Sequence, residues 1–174
     1  MQMQSGVGDF HENWFEMRMV GLQPDRRSYH SSFIYDNKLF IFGGLDIREG
    51  SLDTLYELPL AVMQETILDE LDRPNNQALL SMHRWRKVET TGNLVHTPCP
   101  LAHHTNVVYK DNLYLFGGNN PRSLNAQEEG TTELHCEKLF YLSLRTFSWS
   151  IVRTRGDHVI LRDEHTSVYD PETA

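Results

Sequence analysis

Short apolar stretches alternate with polar turns along this chain, and no helical period is sustained for long. Ser32-Phe33-Ile34-Tyr35 is a compact run rich in aromatic and β-branched residues, the composition of a buried strand. Asp36-Asn37 follows with turn chemistry, since both side chains bond nearby backbone and tolerate left-handed geometry. Leu39-Phe40-Ile41-Phe42 then reads as the returning strand of a hairpin and ends directly in Gly43-Gly44. The same pattern returns later, with Asp111-Asn112 at the turn, Leu113-Tyr114-Leu115-Phe116 as the return strand, and Gly117-Gly118 after it. A third strand is expected over Leu52 to Leu58 in one copy and Glu137 to Leu144 in the other. A fourth is led by tryptophan: Trp85-Arg86-Lys87-Val88-Glu89 and Trp149-Ser150-Ile151-Val152-Arg153.

These stretches are a duplication. Residues 26–44 align without a gap on residues 100–118, placing His30 on His104, Tyr35 on Tyr109, Leu39 on Leu113 and Phe42 on Phe116. A third, partial copy opens at Arg162, with His165 and Tyr169 in corresponding places. Trp14, Trp85 and Trp149 recur out of phase with these landmarks. Four antiparallel strands per repeat, marked by Gly-Gly and Trp, describe one blade of a β-propeller.

The pattern resembles the kelch repeat: a His-bearing first strand, a second strand ending in Gly-Gly, then a spaced Trp. The fold class expected is therefore all-β, built of kelch-type blades in an incomplete, open propeller. The chain parses as a leading outer strand over 1–25, a blade over 26–89 with a long insertion at 59–83, a second blade over 90–156, and the start of a third over 157–174. Propellers close with about four to eight blades. The sequence thus reads as a truncated product, a fragment, or a piece that other chains complete.

Length and charge narrow the function. The 174 residues carry a net charge of −8, which disfavours nucleic acid, whose backbone is bound through clustered Lys and Arg. No apolar run approaches the roughly 20 residues of a membrane span, and Met1 to Gly6 lack the features of a secretory signal. Two cysteines, Cys99 and Cys136, make no disulfide framework, so the expected compartment is reducing, the cytoplasm.

Candidate chemistry is sparse. His30, His104 and His165 occupy repeat positions and are expected to hold blade contacts through ring hydrogen bonds. His103, His104, His135, Cys99 and Cys136 lack the spacing of a zinc site. Neighbouring strand residues point to opposite faces, so His103 and His104 are not expected to share an ion. No nucleophile elbow or phosphate loop is present. No cofactor, metal or catalytic residue is assigned, and the chain reads as a non-enzyme. Carboxylates Asp46, Glu49, Asp53, Glu128, Glu129 and Glu133 read as solvated loop residues.

In a blade, the loops joining first to second and third to fourth strands share one face, and the remaining connections share the other. Arg26, Arg27 and Arg48, with Asn119, Asn120 and Arg122, fall on that second face. The kelch resemblance implies that such a face captures acidic peptides, which arginine binds bidentately. On the opposite face, Met63, Ile67 and Leu71 form a helical stripe that Pro74 would end. The resemblance implies a protein–protein interaction module or scaffold whose partners are proteins or peptides. The alternative is a fragment of a kelch-propeller enzyme, galactose oxidase-like or sugar-isomerising, without independent activity.

Overall fold

The computed structural model describes residues 19, 21–60, 84–120, 138–157, 159 and 162–172. Ten strands are described: β1 Ser31–Tyr35, β2 Lys38–Phe42, β3 Leu45–Asp46, β4 Gly50–Ser51, β5 Leu55–Pro59, β6 Arg86–Val88, β7 Thr105–Tyr109, β8 Asn112–Phe116, β9 Phe140–Ser143 and β10 Ser148–Ile151. They form two four-stranded antiparallel sheets, β1-β2-β5-β6 and β7-β8-β9-β10, and a two-stranded hairpin, β3-β4. Each large sheet is one blade, and every strand in it pairs with its neighbour in sequence apart from the β3-β4 excursion. The expected helix at 61–71, Trp14, Arg122, His135 and Cys136 lie outside the described residues.

Local chemistry fixes the hairpins. Asp36 and Asn37 both adopt left-handed backbone (φ 46° and 54°), the geometry of a two-residue turn that matches strand twist. In the second blade the turn falls one residue earlier than the sequence suggests. Lys110 takes the left-handed position (φ 52°), and Asn112 is already in β8, opposite Tyr109. The third strand of the first blade also starts later than expected, at Leu55. Leu45 to Ser51 fold first into the β3-β4 hairpin, and the Leu52 carbonyl accepts from Leu101 N–H of the second blade (3.0 Å).

The core lies between the blades. Phe33, Phe40, Phe42 and Leu55 of the first blade meet Leu101, Leu113, Leu115, Leu142 and Trp149 of the second. Trp149 packs on Phe42 (5.3 Å between ring centroids) and on Phe140 (6.5 Å), which is why a bulky aromatic leads the fourth strand. Glu57 is buried in the first sheet and paired with Lys38 (3.1 Å) and Arg86 (2.5 Å) on the flanking strands. Tyr35 donates to Asp111 Oδ1 across the junction (2.8 Å), which lowers the Asp111 pKa and raises that of Tyr35.

The Gly-Gly pair is explained by what comes against it. Gly43 and Gly44 lie at φ 65° and 100°, and Gly117 and Gly118 at 65° and 88°. A Cβ on Gly43 would stand 2.7 Å from His104 Cε1 and 2.7 Å from the Leu101 carbonyl oxygen, both in the second blade. One on Gly117 would overlap His165 Cε1 and stand 2.6 Å from the Arg162 carbonyl. The second glycine meets its own blade: Gly44 abuts His30 Cβ, and Gly118 abuts His104 Cβ. Each pair therefore clears space for two histidines, one from its own blade and one from the next.

Gly43→Ala combines a left-handed backbone penalty with a clash at the junction, and we expect it to cost about 2–4 kcal/mol. Urea unfolding followed by Trp149 fluorescence measures this; a loss under about 0.5 kcal/mol would contradict the packing described.

Candidate functional site

Two of the three repeat histidines, His104 and His165, join one repeat to the next. His104 Nε2 lies 2.7 Å from the Ser31 hydroxyl, and His165 Nε2 lies 3.0 Å from the Thr105 hydroxyl. In both cases the histidine of one repeat meets the hydroxyl of the preceding one. Their rings also stand edge-on to Phe42 and Phe116 respectively. Backbone bonds repeat with them: Gly44 N–H donates to the Leu101 carbonyl (2.8 Å), and Gly118 N–H to the Arg162 carbonyl (3.0 Å). His104 is 5% exposed, and burial pushes its pKa down to about 4, with the neighbouring His30, His165 and His103 adding smaller effects in the same sense.

The residue before each repeat histidine forms a column that the sequence does not flag. Tyr29, His103 and Glu164 all have left-handed backbone (φ 55°, 59° and 52°). His103 N–H donates to the Tyr29 carbonyl (3.1 Å) and Glu164 N–H to the His103 carbonyl (3.2 Å). The Tyr29 and His103 rings stack at 3.8 Å, and His103 Nδ1 lies 3.5 Å from Glu164 Oε1. His103 and His104 diverge because they precede β7 and the chain reverses handedness at His103, not because they alternate within a strand. The only advance signal was positional, one residue before the landmark histidine.

The arginines predicted on one face do come together. Arg26, Arg27 and Arg48 line an open cavity of about 910 Å³ with Asp25, Asp46 and Glu49, and Leu45 and Ile47 supply apolar wall. Formal charge in the cleft is balanced. Arg27 is committed to structure: Nη1 donates to the Gly43 carbonyl (2.9 Å) and Thr54 Oγ1 (3.1 Å), Nε to the Asp25 carbonyl (3.1 Å), and its guanidinium sits over Tyr56. Burial lowers the Arg27 pKa, partly offset by Tyr56. It stands where the aligned second copy has the buried Leu101. Asp46 accepts from Arg48 N–H (2.7 Å) and Glu49 N–H (2.8 Å), bonds that lower its pKa and shape the β3-β4 turn. Ile47, at the tip of that turn, is 99% exposed. Asn119 lies outside this cleft; its amide donates to Asp163 Oδ2, and its backbone pairs with Ala102. Asn120 follows it on the second blade, also away from the cleft lining.

Sequence comparison decides the family. Residues 11–173 match the family described as the KLHDC2/KLHL20/DRC7 Kelch-repeats domain. The chain belongs to this kelch-repeat family. It is similar to Acyl-CoA-binding domain-containing protein 5 of Arabidopsis thaliana (23% identical, covering 90% of this chain and 27% of that protein). It is also similar to Kelch repeat-containing protein 2 of Saccharomyces cerevisiae (32%, covering 64% and 11%) and to human Host cell factor 2 (30%, covering 84% and 16%). The kelch chain thus spans between 11% and 27% of the length of these relatives. A solved structure titled "Structure of YjhT" superposes with TM-score 0.45 at 17% identity, over 72% of this chain and 37% of that one. Among the described residues no group of three His, Cys, Asp or Glu is placed to hold a metal ion, and no helix is long and apolar enough to cross a membrane.

Two outcomes test this geometry. His104 takes its proton near 6.5 in the unfolded chain and only near 4 in the folded one, so the unfolded state binds more protons between those values. The stabilisation is whole above pH 6.5 and is lost as pH falls through 4, in total about 3 kcal/mol. Urea midpoints across pH 3.5–7.5 for the wild type and His104→Gln should differ in slope over that window; parallel curves would contradict a buried neutral His104. Arg27→Ala is expected to lower stability by about 1–2 kcal/mol through its lost carbonyl and hydroxyl bonds. An unchanged melting curve would return Arg27 to the set of dispensable surface charges.

Proposed function

We propose that this kelch chain is a non-catalytic protein–protein interaction module that presents its interblade connections to a segment of another protein. The observation that carries this reading is the cleft beside the β3-β4 hairpin. Arg26 and Arg48 stand there beside the exposed Ile47. Arg26 and Arg48 suit a carboxylate, which a guanidinium grips through two parallel hydrogen bonds. Leu45 and Ile47 suit an apolar side chain next to it. Asp25 and Glu49 oppose a long acidic run by like-charge repulsion, so the favoured partner carries a single carboxylate beside an apolar residue.

Arg27 serves this site by positioning: it anchors the Asp25 and Gly43 carbonyls that flank the cleft. Asn119 and Asn120 extend the face onto the second blade, with Arg122 beyond them in sequence. A net charge of −8 supports protein rather than nucleic-acid partners. The exposed thiol of Cys99 suits a reducing compartment, and the cytoplasm is where we place the chain.

Affinity capture followed by peptide arrays identifies bound segments. Arg26→Ala and Arg48→Ala are each expected to weaken binding about tenfold, and Ile47→Asp more than either. Captured segments indifferent to all three substitutions would overturn the site. Stoichiometric copper, iron or zinc retained by the purified protein would overturn the non-catalytic assignment.

A further inference from the structure

Two connections between strands end in the same device. In the β3-β4 hairpin, Asp46 Oδ1 accepts from the N–H groups of Arg48 and Glu49, and Ile47 before them is 99% exposed. Between β6 and β7, Asn93 Oδ1 accepts from the N–H groups of Val95 and His96 (3.0 Å each), and Leu94 is 97% exposed. In both, an acceptor side chain ties the amides two and three residues on, and a large aliphatic residue stands at the tip. A single exposed aliphatic side chain is ordinary on a protein surface. The same arrangement at two tips on one face is a surface built for contact.

The Leu94 tip is also fixed at its base. The Asn93 carbonyl accepts from Thr97 N–H and from Thr97 Oγ1 (3.0 Å each). A Cβ on Gly92 would stand 2.6 Å from Thr97 Oγ1 and 3.2 Å from Trp149 Cβ, and Trp149 N–H donates to the Thr91 carbonyl (2.7 Å). The turn is thus seated on the core tryptophan. Farther along, Leu101 N–H donates to the Leu52 carbonyl (3.0 Å), which ties this connection to the one that carries Ile47. Strand order places both connections on one face of the blades. Leu94 and Val95, the latter 61% exposed, stand outside the lining of the Arg26 and Arg48 cleft. Because the Val95 and His96 amides are satisfied from within, a partner can cover the tip without stranding them.

We propose that Leu94 and Val95 are a second anchor for the partner engaged by the Arg26 and Arg48 cleft, and that this partner is a folded protein with an apolar depression beside its bound segment. The tips project, so the surface that receives them is concave, and a depression needs packed walls that a short peptide lacks. Asn93 to Cys99 carry no Asp, Glu, Lys or Arg, so the matching depression is walled by uncharged side chains. A tip already held in shape loses little freedom when it is covered. A lipid surface fits less well, because Asp46 and Glu49 flank Ile47 and would be pressed against headgroup phosphates. The inference rests on the cleft reading for its first anchor and goes beyond it in the second.

Titration calorimetry on the full chain tests it with two probes: the whole protein identified by capture, purified, and the short array peptide that spans its bound segment. Leu94→Asp should weaken the whole protein about tenfold and leave the peptide unchanged, whereas Arg26→Ala should weaken both. The Leu94 side chain meets solvent, so the urea midpoint of Leu94→Asp should match the wild type. Whole-protein binding that feels Arg26→Ala but not Leu94→Asp would overturn the second anchor and leave the cleft standing. Binding that feels Leu94→Asp but none of Arg26→Ala, Arg48→Ala and Ile47→Asp would support the anchor and overturn the cleft. Equal losses for peptide and whole protein on Leu94→Asp would overturn the folded-partner inference, as would failure of the wild type to capture any protein. Sedimentation with phosphatidylcholine–phosphatidylserine vesicles that Leu94→Asp abolishes would overturn it in favour of a lipid surface.

Discussion

The structure depends on one steric bargain at each blade junction: a histidine ring from the next repeat needs the volume that a side chain on the first glycine would fill. Gly43 gives that volume to His104, and Gly117 gives it to His165. Once seated, the Nε2 atom of each ring reaches a hydroxyl on the preceding blade, and the N–H of the second glycine reaches a carbonyl three residues before the histidine. The contact combines shape and two kinds of hydrogen bond, and at the first junction it also buries the neutral His104 imidazole. It links strands far apart in sequence, so the blades are held by their ends as well as by the apolar surface between them. The cleft inherits its form from the same place, because Arg27 grips the Gly43 carbonyl and the β3-β4 hairpin begins just after Gly44.

Much of the fold was legible because strand chemistry and repetition agree. Phe33, Phe40 and Phe42 alternate with residues that face the other way, and the aligned second copy repeats the apolar pattern. The turns are legible in kind from Asp36-Asn37 and Asp111-Asn112, but the second falls one residue earlier, at Lys110-Asp111. Lys110, with no turn-forming side chain, takes the left-handed position there, so composition pointed too far along. The delayed start of β5 had the same origin. Within Leu45 to Ser51 the hairpin is marked only by Asp46, which accepts from two following amides, and by Gly50 at φ 84°.

The site was legible only in outline. Grouping Arg26, Arg27 and Arg48 on one face followed from strand order, and they do share a cleft. Their division of labour did not follow, because it depends on depth. Arg27 occupies the place of a core leucine and turns its guanidinium onto backbone carbonyls and a tyrosine face. Strand order puts Asn119 on the same face as the arginines, yet its amide joins the second blade to Asp163. The Tyr29, His103 and Glu164 column is not legible in the sequence because its shared property is backbone handedness, and three unlike side chains carry no common pattern.

The central claim is that the histidine-in-glycine contact makes the two blades one cooperative unit. Native-state hydrogen exchange addresses it most directly, by comparing the junction amides Gly44 and Leu101 with the strand amides of β2 and β8. The account expects the junction amides to open only with global unfolding, at the same free energy as the strands. Junction amides exchanging through a separate, lower-energy opening while both sheets stay protected would contradict it.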